Sequence, residues 1–141
     1  MRWVLAVLLG LGCNGFTQDQ VPSEDYELYF LDFEVETFRP VTIQNIESKA
    51  TCHVRLEESD LRASSLLHLL VASAVPDDGT FDLKRVRLKI VDSNGRANYI
   101  DSTGRLLGSE GLDKMIIQRD AMTRLMVELD HLATAEDCRD R

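Results

Sequence analysis

Arg85-Val86-Arg87-Leu88-Lys89-Ile90-Val91-Asp92-Ser93-Asn94-Gly95-Arg96-Ala97-Asn98-Tyr99-Ile100-Asp101 is the stretch that decides the fold. Apolar and charged residues alternate up to Val91, Asn94-Gly95 follows, and a second β-prone run begins. Period two marks strands with one buried face, and Asn-Gly tolerates the positive φ of a two-residue type I′ turn. This reading pairs Ile90 with Tyr99 and Leu88 with Asp101. It also places Arg85, Arg87 and Lys89 on one face, opposite Val86, Leu88 and Ile90.

Working outward, Ser102-Thr103-Gly104 supplies another turn, which feeds Arg105-Leu106-Leu107 into a third strand of a meander. Leu112 to Gln118 is ambiguous between a strand around Met115-Ile116-Ile117 and a helical turn. From Asp120, Met122, Leu125, Met126, Leu129 and Leu132 recur at steps of three and four residues, the signature of an amphipathic helix. Upstream, Tyr29, Leu31, Phe33 and Val35 alternate with polar residues and predict a half-buried strand, interrupted by Arg39-Pro40. Val41-Thr42-Ile43 resumes an extended pattern, and Ala50 to Glu57 alternates again with Cys52, Val54 and Leu56 on one face. Ser59 and Asp60 are good N-cap types for a helix running through Leu66, Leu67, Leu69, Leu70 and Val71, which Pro76 must stop. No internal repeat or long linker is evident. The expectation is one α+β domain, a mostly antiparallel sheet with two helices packed on one face.

The first residues carry a different signal. Arg2, the apolar run Trp3 to Gly12 and the small residues around Asn14-Gly15 have the three-part layout of a secretory leader. The run is too short to span a bilayer, which takes roughly 20 apolar residues. Residues 1–18 are therefore expected to be a signal peptide and residues 19–141 the domain with a polar tail. The segment Leu9-Gly10-Leu11-Gly12-Cys13 resembles a bacterial lipoprotein processing site. It departs from the usual pattern at Gly10 and Leu11, where a larger aliphatic and a smaller residue are preferred. Lipidation of Cys13 would be the chain's one route to a membrane; cleavage after Gly15 would discard that cysteine. Either outcome leaves Cys52 and Cys138, an even number in an exported chain, and so predicts a disulfide between them.

In the 141-residue chain, 24 Asp and Glu outnumber 16 Lys and Arg, for a net charge of −8. That balance argues against a nucleic-acid binder, which needs surplus cations to neutralise phosphates. The stripe Arg85, Arg87, Lys89 is the candidate binding patch, able to meet a carboxylate or phosphate. The plainer reading is a solvated face paired with acids such as Glu34 or Glu36. Asp101-Ser102-Thr103-Gly104 resembles the aspartic protease motif, but with one residue inserted and no second copy to share a proton, so it is read as a turn. Asp92-Ser93-Asn94-Gly95 lacks the closing Glu of a calcium loop. His53, His68 and His131 are isolated, no cysteine pair has metal-ligand spacing, and neither a catalytic residue nor a cofactor is assigned. Met115, Met122 and Met126 are adaptable side chains that suit a core or a soft binding surface.

These observations lead to an exported, non-enzymatic binding protein, for instance of the inhibitor or immunity type, whose acidity suits a basic protein partner. The alternatives are a small secreted hydrolase built on carboxylates and a lipid-anchored structural protein of the envelope.

Overall fold

The computed structural model describes residues 25–57, 60–108, 114–135 and 138, with the backbone alone at 61–64, 67, 71 and 135. The leader, Cys13, Ser59 and Leu112 lie outside these residues. Ten elements follow in order: β1 (Asp25–Phe30), α1 (Ile46–Lys49), β2 (Cys52–Glu57), α2 (Leu61–Ala72), β3 (Ala74–Pro76), β4 (Val86–Val91), β5 (Ala97–Asp101), β6 (Leu106–Leu107), β7 (Met115–Ile117) and α3 (Arg119–Ala135). Five strands form an antiparallel sheet in the order β2-β1-β4-β5-β6, and β3 pairs with β7 in a second, two-stranded sheet. The fold is α+β, as expected.

One face of the large sheet carries the main core. Leu28 and Phe30, Cys52, Val54 and Leu56, Leu88 and Ile90, and Ile100 pack against Leu66 and Leu70 of α2 and Leu125, Leu129 and Leu132 of α3. The alternation of β2 buries Cys52, Val54 and Leu56, and the three-and-four spacing of α3 buries Leu125, Leu129 and Leu132 while leaving Met122 and Met126 half-buried. Beyond Ala72 the chain turns at Ser73, whose hydroxyl bonds the Leu69 carbonyl, and the segment before Pro76 becomes β3. Proline lacks a donor for a helix ladder but is accepted at the end of an edge strand.

The other face is not simply solvated. Leu31, Val41, Ile46 and Val86 form a second buried cluster, closed by Tyr29, Ile43, Phe81 and Tyr99. α2 and α3 share the first face as expected, and the short α1 and the chain around Val41 lie over this second one. Val41 makes an isolated parallel bridge with Arg85, its N–H donating to the Lys84 carbonyl and its carbonyl accepting from Val86.

The central hairpin exists, but its register differs by one residue from the predicted one. Ile90 faces Asn98, Lys89 faces Tyr99 and Leu88 faces Ile100. Asn94 does not take a positive φ; Gly95 alone does, at 77°. The Gly95 N–H donates to the Asp92 carbonyl at 2.9 Å and the Asp92 N–H to the Arg96 carbonyl at 3.0 Å. This is the three-residue loop, a type I turn followed by a left-handed glycine. One residue of slip exchanges the two faces of a strand. Ile100 therefore enters the core, while Tyr99 with its hydroxyl lies on the opposite side.

The same turn recurs nine residues later, a short repeat that sequence reading missed. In Asp101-Ser102-Thr103-Gly104-Arg105, Gly104 has φ 88°, its N–H donates to the Asp101 carbonyl at 3.1 Å, and the Asp101 N–H donates to the Arg105 carbonyl at 3.0 Å. In both copies the aspartate Oδ1 accepts the N–H groups two and four residues ahead, at 2.8 to 3.0 Å. Asp101 is fully buried, and its Oδ2 also accepts the Asp82 N–H at 2.8 Å. The resemblance to a protease motif thus resolves into an aspartate that organises two loops through its own hydrogen bonds.

Candidate functional site

The basic stripe does not form one face. A bulge at Arg87 shifts the ladder, so Val86 faces Asp101 while Leu88 faces Ile100. Val86 joins the second cluster and Leu88 the first. Extra residues of this kind bend a strand and re-aim its side chains. Arg85 stays largely in solvent with a long contact to Asp82, Nε to Oδ2 3.7 Å. Lys89 pairs with Glu47 of α1, not with Glu34 or Glu36, and its ammonium lies 5.7 Å and 5.9 Å from the ring centroids of Tyr29 and Tyr99. Arg87 is only 4% exposed. Two of the three cations are therefore committed inside the protein.

Arg87 leads to the feature that sequence reading assigned wrongly. Its Nη2 donates to the Val35 carbonyl at 3.0 Å and its Nη1 to the Val86 carbonyl at 3.2 Å, while Nε has no partner. Burial, reinforced by Arg85, pulls its pKa below the usual guanidinium value, and Asp32 and Asp82 counteract this from a distance. The guanidinium thus pins the segment between Leu31 and Pro40, which was expected to continue a strand. β1 instead ends at Phe30, where its neighbour β2 begins at Cys52; the Leu31 N–H still donates to the Arg87 carbonyl at 2.9 Å, and the alternating residues beyond Leu31 have no ladder to join. Val35 is exposed and Phe38 fully so, flanked by the exposed acids Asp32, Glu34 and Glu36. The Glu34 N–H donates to the Asp32 carboxylate at 2.8 Å, which fixes a local turn.

Phe33, a half-buried residue of this segment, packs on the main core and forms one wall of a cleft against α3. The cleft holds about 360 Å³ between Phe33, Glu34, Thr51, Met126 and Asp130. A second hollow of about 440 Å³ shares Phe33, Glu34 and Met126 and continues to Met122 and Arg119. Met122 and Met126 therefore border these hollows as well as the core. Val127, on the same helix, is a further exposed apolar residue at the rim.

A polar cluster occupies the second sheet face. The His53 and Tyr29 rings stack with centroids 4.2 Å apart and planes 6° from parallel. The Tyr29 hydroxyl donates to Glu27 at 2.9 Å, and His53 Nε2 lies 3.9 Å from the same carboxylate oxygen. Burial first, then the hydrogen bond and charge of Glu27, push the Tyr29 phenol up to about 12. With Lys89 already lying near the tyrosine rings, the cluster satisfies itself internally. Among the described residues, no group of His, Cys, Asp and Glu could hold a metal ion, and no helix is long and apolar enough to cross a membrane. Cys52 and Cys138 form a disulfide with Cα atoms 4.8 Å apart, linking the start of β2 to the chain just beyond α3.

The fold and this surface define a small α+β protein with an exposed apolar and acidic segment beside a helix-lined cleft. Comparison with protein-family models, curated proteins and solved structures returns no match.

Proposed function

We propose that this chain is an exported, non-enzymatic binding protein of the inhibitor or immunity type, engaging a basic protein partner through the Leu31–Pro40 segment. The observation that carries this reading is a fully exposed Phe38, with Val35 nearby, on an acidic segment pinned by a buried arginine. An aromatic side chain held out in water gains from burial in a partner's pocket, and pre-ordering the backbone lowers the entropy cost of docking. Asp32, Glu34 and Glu36, on a chain of net charge −8, favour encounter with a cationic surface. The leader layout and the Cys52–Cys138 bridge support a site of action outside the reducing cytoplasm.

The test places a photo-crosslinking phenylalanine at position 38 and, as a control, at Ser93 on the hairpin loop, in cells that make the protein naturally. The expected result is a discrete adduct with a basic protein from position 38 alone. Phe38→Ser in the purified pair should weaken binding by about tenfold to a hundredfold, with folding stability unchanged within about 0.5 kcal/mol. Identical adducts from both positions would remove the reading.

A further inference from the structure

We infer that the two hollows along α3 act as one groove for an extended peptide strand of the partner, which turns towards it an anion at one end, an apolar residue at the middle and a cation at the other end. The inference rests on the proposed binding function and assigns its mode. Three observations carry it. The hollows adjoin, because Phe33, Glu34 and Met126 line both. Their helical wall runs from Arg119 to Ala133, a length of about 21 Å at 1.5 Å per residue. At about 3.3 Å per residue, an extended strand of roughly six residues matches that length. A compact organic ligand would leave most of it empty.

Charge sets the direction. Arg119 stands at one end of the groove, Glu34 at the middle and Asp130 towards the other end, with Asp32 beside Glu34. Between them the surface is Phe33, Met122 and Met126, and unbranched methionines adapt to differently shaped apolar side chains. An extended strand turns alternate side chains towards the groove, so the three that face it should be an anion at Arg119, an apolar residue over Met122 and Met126, and a cation at Glu34 and Asp130. Glu34 and Phe33 also belong to the segment that displays Phe38, so a partner loop gripping Phe38 could lay its neighbouring strand into the groove.

The test uses the purified full chain, labelled with ¹³C at the methionine methyls, and two probes. One is the hexapeptide acetyl-Asp-Ser-Leu-Ser-Lys-Ser-amide; the other is acetyl-Asp-Ser-Leu-Ser-Glu-Ser-amide, in which the cation is replaced by an anion. The first probe should shift the Met122 and Met126 methyl signals and leave Met115, which does not line the groove, in place. It should bind at least tenfold more tightly than the second. Glu34→Lys combined with Asp130→Lys, both at exposed positions, should abolish or invert that preference. Equal binding of both probes, or no methyl shift with either at millimolar concentration, overturns the groove. Methyl shifts that follow protein concentration without peptide also overturn it, because they identify a second copy as the occupant. If the position-38 adduct forms while neither peptide binds, the groove alone falls; loss of the adduct with retained peptide binding removes the Phe38 reading.

Discussion

The disulfide offers the most quantitative check on the architecture. Cys52 and Cys138 are separated by 86 residues, so their bridge closes a loop that contains most of the sheet and all of α2 and α3. In the loop-closure model, the entropy removed from the unfolded chain corresponds to about 4–5 kcal/mol at 25 °C, an upper figure because residual unfolded structure reduces it. Replacing both cysteines by Ala should therefore lower stability by about 3–5 kcal/mol. Reduction of the unaltered protein should give nearly the same loss, the difference being the burial of two sulfur atoms. With a typical urea dependence of about 2 kcal/mol per molar for a domain of this size, the midpoint should fall by roughly 2 M. The protein should nonetheless remain folded, since the loss is only part of a total stability that is on the order of 5–15 kcal/mol for such domains. The assay is equilibrium urea unfolding with and without reductant, combined with amide exchange. Exchange should accelerate first at the last turn of α3, where the Cys138 N–H reaches the Ala133 carbonyl at 3.4 Å. A midpoint shift below about 0.5 M, with both thiols titrating after reduction, would refute the loop-closure reasoning.

The repeated turns provide an internal comparison. Gly95→Ala meets no atom within 4 Å and should cost only the left-handed strain, about 1 kcal/mol, whereas a Cβ on Gly104 would lie 3.1 Å from Met122 and should cost more in the same urea assay. Asp92 should generate a measurable acid dependence. Burial opposes its ionisation, but the N–H groups of Arg96 and Asn94 and the Arg96 guanidinium prevail and hold its pKa below the ordinary value. Its stabilising contribution is thus complete above the unfolded value of about 3.9 and disappears as pH falls through the lower folded value, so Asp92→Asn should flatten the pH dependence of stability below about pH 4. Arg87→Met should change global stability little, because removing a buried charge offsets the lost hydrogen bonds. It should raise the rate of chymotryptic cleavage at Phe38 by about tenfold to a hundredfold, the increase in local opening that follows from losing roughly 1.5–3 kcal/mol for a charged donor on the Val35 carbonyl.

Periodicity made much of the scaffold legible. The alternation through Cys52, Val54 and Leu56 identified a strand and its buried face, and the spacing of Leu125, Leu129 and Leu132 identified the helix that covers it. Parity of the cysteines identified the bridge. Turn geometry was less accessible, because Asn94-Gly95 suits a two-residue loop as well as a three-residue one. The choice between them depends on the Asp92 carboxylate, which accepts the Asn94 and Arg96 N–H groups, and on whether Ile100 or Tyr99 enters the core. Neither is a local property. Leu31 to Val35 illustrates the same limit, since alternation states which residues could share a face but not whether a neighbouring strand exists to receive them. The stripe failed for a third reason: one extra residue at Arg87 separates the fate of its side chain from those of Arg85 and Lys89.

That extra residue connects the scaffold to the proposed binding surface. Without the bulge, Val86 would share a face with Leu88 and leave the second cluster, whose other buried members are Leu31, Val41 and Ile46. The Arg87 guanidinium would then lose its buried place beneath the Leu31–Pro40 segment. A cation enclosed there is costly, more so with Nε unpartnered, and an apolar side chain would fill the space at lower cost. What the guanidinium supplies instead is direction: a donor to the Val35 carbonyl fixes backbone that carries no ladder of its own. A segment so held can keep Val35 and Phe38 in water without collapsing onto the sheet, and can keep Phe33 turned inward as the wall of the cleft. The acidic residues between them then follow as a consequence of solubility and recognition together, since they separate exposed apolar groups that would otherwise form an adhesive patch and present them to a cationic surface.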